Sequence, residues 1–125
     1  MGKIRRFEEL ECWQEARKLT NLVYETTRLQ GFQRDFELIN QVRRSAISSM
    51  ANIAEGFHRN SDKEFLRFLD ISRASIAETL SHCYVALDQK YIDEPVMKRI
   101  QDQAEVVWKK VNHLISYLNR PAGAN

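Results

Sequence analysis

The chain has 125 residues, 43% of them hydrophobic, with a formal charge of +2 and two cysteines. That length makes one domain spanning 1–125, able to bury roughly two-thirds of the surface its unfolded chain exposes. So mild a charge does not argue for nucleic-acid binding, Cys12 and Cys83 do not make a secreted disulfide framework, and no apolar run approaches the ~18 residues of a membrane span.

The N-terminal arm, 1–7, is basic but has no apolar run behind it, so it does not read as a signal peptide, and a cytoplasmic location is expected. Four helices follow, and no strand pattern competes with them. The first is predicted from about Glu8 to Gln30, with Leu10, Trp13, Ala16, Leu19, Val23 and Thr27 at the spacing of a buried stripe. Gly31 stands where a C-terminal cap glycine belongs. Asp35 can cap the second helix, which runs to about Phe57, with Gly56 and the residues after it making the turn. Ser61 and Glu64 have the spacing of a capping box and start the third helix, which carries Phe65, Phe68, Leu69, Ile76 and Leu80. Asp93, Glu94 and Pro95 start the fourth, with proline in the first turn, and Ile100, Ala104, Val107, Val111 and Leu114 give it a coiled-coil-like seam. The tail, 120–125, is expected to fray. Long helices joined by short connections must fold back on their neighbours, so the predicted architecture is all-α, an antiparallel up-down-up-down four-helix bundle.

The second helix is apolar on too much of its circumference. Val42, Ala46, Met50, Ile53 and Phe57 make one stripe, and Ile47, Ala51 and Ala54 widen it beyond what a single core face needs. A helix with that much apolar width suggests self-association, with Trp13, Ile47, Ala51 and Ala54 as candidate interface positions. Its remaining face carries Gln41, Arg44, Ser45, Ser48, Asn52 and Glu55, mostly short hydrogen-bonding groups with one arginine and one glutamate. Folding the third helix back about Arg59 and Asn60 brings Ser75 and Glu78 opposite this polar seam. The expectation is a buried pair of Arg44 with Glu78, its hydrogen bonds completed by Gln41 and Ser48.

Catalytic and metal readings find little support. Glu55 and His58 make the one Glu-x-x-His match to a di-iron bundle, with glycine inside it and no second copy. His82 and Cys83 are adjacent and point to different helix faces, which does not suit zinc. No nucleophile elbow is present, and no histidine follows an arginine at the spacing of HEPN-type ribonucleases. No catalytic residue, metal or cofactor is therefore expected. Two loose basic groups, Arg5 with Arg6 and Arg59 with Lys63 and Arg67, are candidates for phosphate contacts, although glutamates and aspartates are interleaved with them.

The string Gln41-x-Arg43-Arg44, Ala46-Ile47-Ser48 and Asn52-Ile53-Ala54-Glu55-Gly56-Phe57 resembles the hallmark of the four-helix-bundle, 23S rRNA intervening-sequence protein family. The likeness extends to Leu10, Trp13, Gln14 and Ala16 upstream and to Phe65, Phe68, Leu69, Ser75, Glu78, Tyr91 and Ile92 downstream. Ser49 and Met50 replace the isoleucine and proline common in the middle of that family's second helix, so no proline kink is expected. Ala74 stands where the family commonly has glycine, and the first loop lacks the usual proline. The resemblance implies a ring-shaped homopentamer, with a distant similarity to the basic pentameric accessory proteins of retroelement reverse transcriptases. It implies no agreed biochemical activity. The expected partners are further copies of the chain and, beyond them, RNA, DNA or another protein.

Overall fold

The computed structural model describes residues 4–121. They form four helices, α1 (Glu11–Thr27), α2 (Phe36–Phe57), α3 (Asp62–Asp88) and α4 (Glu94–Leu118), and no strand among the described residues. One 3₁₀ turn, Phe7–Glu9, precedes α1 and another, Gln30–Phe32, follows it. Leu10 separates the first turn from α1 with an extended backbone and puts its side chain, 2% exposed, into the core. The first predicted helix is therefore shorter at both ends. The Glu9 carboxylate accepts from the amides of Arg5 and Arg6 at 3.1 and 2.9 Å and holds the arm in place.

The three predicted N-caps form. Asp35, Ser61 and Asp93 accept from the amides of Leu38, Glu64 and Val96 at 3.1, 3.2 and 3.0 Å. Only half of the box at Ser61 is realised, because the Glu64 carboxylate turns to Arg67. The two glycines act differently from the prediction. Gly31 lies inside the second 3₁₀ turn, where a Cβ would stand 2.8 Å from the carbonyl oxygen of Tyr91. Gly56 is still helical, and a Cβ there would come within 2.8 Å of both Phe65 and Phe68. Both serve close approach. The left-handed cap is made instead by Lys90 after α3, at φ 65°. Its amide bonds Leu87 and that of Tyr91 bonds Ala86, the paired closure of a Schellman motif.

Each helix packs on its neighbours in the chain, and α1 also packs on α4, an arrangement consistent with a four-helix bundle. Leu19, Val23, Val42, Ile53, Leu69, Ile76, Ile100, Val107 and Val111 fill the centre, all 2% exposed or less. At one end the Tyr91 hydroxyl donates to Asp35 at 3.0 Å, and that bond holds the phenol above its ordinary pKa. At the C-terminus the Arg120 amide still bonds Tyr117 and its guanidinium lies over that ring, so Arg120 is held; 122–125 lie outside the described residues, as do residues 1–3 of the arm.

Candidate interaction surfaces

The closest helix pair is α2 with α3, and small side chains make it possible. Ser72 donates to the Ser49 carbonyl at 2.6 Å, the Ser48 and Ser75 hydroxyls meet at 2.8 Å, and Thr79 donates to the Ser45 hydroxyl at 2.8 Å. Asn52 adds bonds to the carbonyl and hydroxyl of Ser48 at 2.8 and 3.0 Å. Ser45, Ser49, Ser72, Ser75 and Thr79 are all buried, so each hydroxyl spares the interior an unpaired polar atom. Of the expected seam, Ser48, Asn52 and Ser75 are brought together. Ser45 of the polar face joins them, whereas Ser49 and Thr79 were missed, although small polar residues recur on both helices at the three-and-four spacing of one face.

The buried Arg44–Glu78 pair does not form. Both residues are exposed, no ion pair joins them, and Glu78 instead approaches His82 at 3.7 Å. Arg44 and Glu78 both stand on the solvent side of the seam, where no burial drives them together, and the register also differs from a simple fold about Arg59 and Asn60. Side chains on a helix lean toward its N-terminus. They lean away from the connecting turn on α2 and toward it on α3, so Ser75 meets Ser48, about one turn from Arg44. Gln41, Arg44 and Glu78 line the outer side of the seam, with Glu37, Asn40 and Ser48, around a polar groove of about 630 Å³. Glu55 lies apart and pairs with Arg59 at 2.7 Å.

The outer faces of the helices differ sharply. On α1, Gln14, Arg17, Lys18, Asn21 and Glu25 face solvent. On α2, Ile47 is 42% exposed and Ala51 is exposed, while Ala54 is half-buried. On α3, Ile71, Tyr84 and Val85 are exposed at 37%, 48% and 44%, beside exposed Ala74 and Ala77. Trp108 of α4 is 39% exposed beside Ile76 and Leu80 of α3, and Val106 of the same helix is 39% exposed. Trp13 is half-buried, edge-on to Phe7 at 5.1 Å, with Arg17 over its ring.

The two basic groups come to the same end of the bundle. Ile4 shares a pocket with Arg59, Asn60 and Ser61, and Phe7 packs edge-on against His58. The charges are partly committed. Arg6 pairs with Glu8 at 2.9 Å, Arg59 with Glu55, and Arg67 with Glu64 at 3.2 Å. Arg59 and Arg67 also lie over the Phe68 ring, at 4.6 and 4.7 Å. Arg5 and Lys63 make no ion pair among the described residues.

The chemistry elsewhere is quiet. Among the described residues no group of three or more His, Cys, Asp or Glu is placed to hold a metal. His58, the histidine of the di-iron match, packs between the Phe7 and Phe57 rings. Cys12 and Cys83 are buried and unpaired, and burial pushes both thiols up to about 12, far from a reactive thiolate. No helix among the described residues is long and apolar enough to cross a membrane.

From residue 8 to residue 113 the sequence matches the 23S rRNA-intervening sequence proteins. The chain belongs to that family. Among solved structures it is similar to a protein of unknown function from the S23 ribosomal protein family of Bacteroides thetaiotaomicron VPI-5482, with a TM-score of 0.75. The two are 22% identical, and the likeness covers 83% of this chain and 97% of the other, which establishes a shared fold. No curated protein matches the chain. For a 23S rRNA-intervening sequence protein, the match spans the α2–α3 seam, the outer groove and Arg59, Lys63 and Arg67, while Arg5 and Arg6 precede it.

Proposed function

We propose that this family member is a non-enzymatic, cytoplasmic scaffold, an antiparallel bundle that assembles with further copies of itself into a homopentamer. The observation that carries the reading is the contrast between outer faces. The solvent face of α1 is polar and charged, whereas large apolar side chains stand exposed on α2, α3 and the adjoining edge of α4. Clustered exposure of that kind marks an interaction surface. Light scattering is expected to give the mass of a closed oligomer at micromolar concentration; a stable monomer would overturn the reading.

A second reading, an RNA- or DNA-binding accessory role, is favoured by the convergence of Arg5, Arg6, Arg59, Lys63 and Arg67 at one bundle end, which a ring would repeat around its rim. Phosphate contacts of this kind add through counterion release and read little sequence. Titration against a structured RNA and a DNA duplex at about 50 and 200 mM salt tests it, with steeply salt-dependent binding expected. Replacing Arg59, Lys63 and Arg67 with glutamine should then weaken binding and flatten the salt slope, and unchanged affinity would exclude this surface.

A further inference from the structure

We infer that the polar groove beside the α2–α3 seam is a binding site for a free basic α-amino acid, built within one protomer. The site is independent of the assembly and nucleic-acid readings above.

The groove is set apart by side chains that have no partner. Elsewhere on these two helices Arg43 is held by Thr27 at 2.8 Å and by the Tyr24 ring at 4.4 Å, Arg67 by Glu64, and Arg73 by Asp70 and Asn112. Arg44 is exposed and, among the described residues, makes no hydrogen bond, ion pair or ring contact. The side chains of Glu37, Asn40 and Gln41 make no hydrogen bond or ion pair there either, and all four line the same space of about 630 Å³. Glu78 closes that space from α3. Beside it the Nε2 of His82 is buried without a hydrogen-bond partner, 3.7 Å from the Glu78 carboxylate. Unpaired groups of both signs thus converge on one cavity.

Their placement defines the occupant. The Ser48–Ser75 and Ser45–Thr79 bonds set Arg44 and Glu78 at one height on opposite walls, yet no ion pair joins them. A molecule with a carboxylate and an ammonium on one carbon fits between, its carboxylate accepting from the Arg44 fork and its ammonium donating to Glu78. Arg44 leans toward the start of α2, so the rest of the molecule runs along Gln41 and Asn40. Their amides can donate or accept along that path. Glu37 stands at its far end, seven residues and about 10 Å of helix from Arg44. Two carboxylates against one guanidinium leave one negative charge in excess, which a basic side chain neutralises by reaching Glu37. The same two carboxylates repel a phosphate, and the polar walls offer little to an apolar ligand.

The test is calorimetric titration of the full chain with L-lysine and with L-arginine, for which saturable binding of one molecule per protomer is expected. Three analogues remove one group each: cadaverine the carboxylate, Nα-acetyl-lysine the α-ammonium and norleucine the side-chain cation. Each should bind about tenfold more weakly or worse, the effect of one lost charge-assisted bond. Arg44→Gln and Glu78→Gln should cost a similar factor, and because both residues are exposed the helix content of each variant should match the wild type. No saturable binding of either amino acid at millimolar concentration overturns the inference. Cadaverine binding as tightly as lysine, or unchanged affinity in both variants, overturns it as well, since the bound molecule is then not held between Arg44 and Glu78.

Discussion

Where α2 meets α3, the polar links lie inside the protein: Ser45 with Thr79, Ser48 with Ser75, Ser49 with Ser72. Where α1 meets α4, they lie at the rim, Gln103 to the Glu15 carbonyl at 2.9 Å and Lys110 to Glu11 at 2.7 Å, over an interior of Ala16, Leu19, Val23, Ala104, Val107 and Val111. The aliphatic side draws its stability from area removed from water and from dense contact, which are non-directional. The hydroxyl side fixes its register point by point. One seam supplies cohesion and the other alignment.

Substitutions can break or sharpen that contrast. The largest expected loss is on the aliphatic side: Leu19→Ala removes a side chain with no exposure and should lower unfolding free energy by about 3–4 kcal/mol in urea titration. Gly56→Leu attacks the close approach of the other seam and should cost about 3 kcal/mol, because Phe65 and Phe68 already occupy the space. A tolerated leucine there would mean that α2 and α3 can part easily. A smaller effect is expected within the hydroxyl pairs. Ser45→Ala and Thr79→Val should each cost about 1 kcal/mol, and together less than their sum, since the second removes a group already left without its partner. Strict additivity would show that the two hydroxyls are not coupled. The smallest effect has the opposite sign. Lys90→Gly relieves a left-handed backbone at the α3 cap and should raise stability by about 0.5–1 kcal/mol, read from the same titration.

Much of the fold was legible in the sequence for local reasons. Asp35, Ser61 and Asp93 announce helix starts because a short side-chain oxygen satisfies an orphan amide, and each does so in the structure. The apolar stripes on α1, α3 and α4 are the buried faces. The larger errors concern distance between elements. Gly31 and Gly56 look like turn residues to a local reading, but each is fixed by a neighbour far along the chain, Tyr91 in one case and Phe65 with Phe68 in the other. Arg44 faces Ser75 when the hairpin is folded at its midpoint, and the lean of helical side chains moves that pairing by about a turn, to Ser48. The basic groups were legible as residues, but their meeting at one end depends on the arm crossing to His58, which nothing in their spacing announces. Tyr84 and Trp108 belong to different helices and share an exposed edge only after packing, so no local pattern announces it.

The connection between α2 and α3, 58–61, has a kinetic consequence. Closing so short a loop costs little chain entropy, and the helices it joins make the most extensive contact in the molecule. A hairpin of low contact order forms early, so the serine pairs are set while the chain is still searching for the rest of its core. α1 and α4, at opposite ends of the sequence, are then expected to meet each other last, on a template whose register is already decided. The hydroxyls thus act on the route to the native state as well as on its stability, rejecting slipped hairpins before the aliphatic core can lock them in.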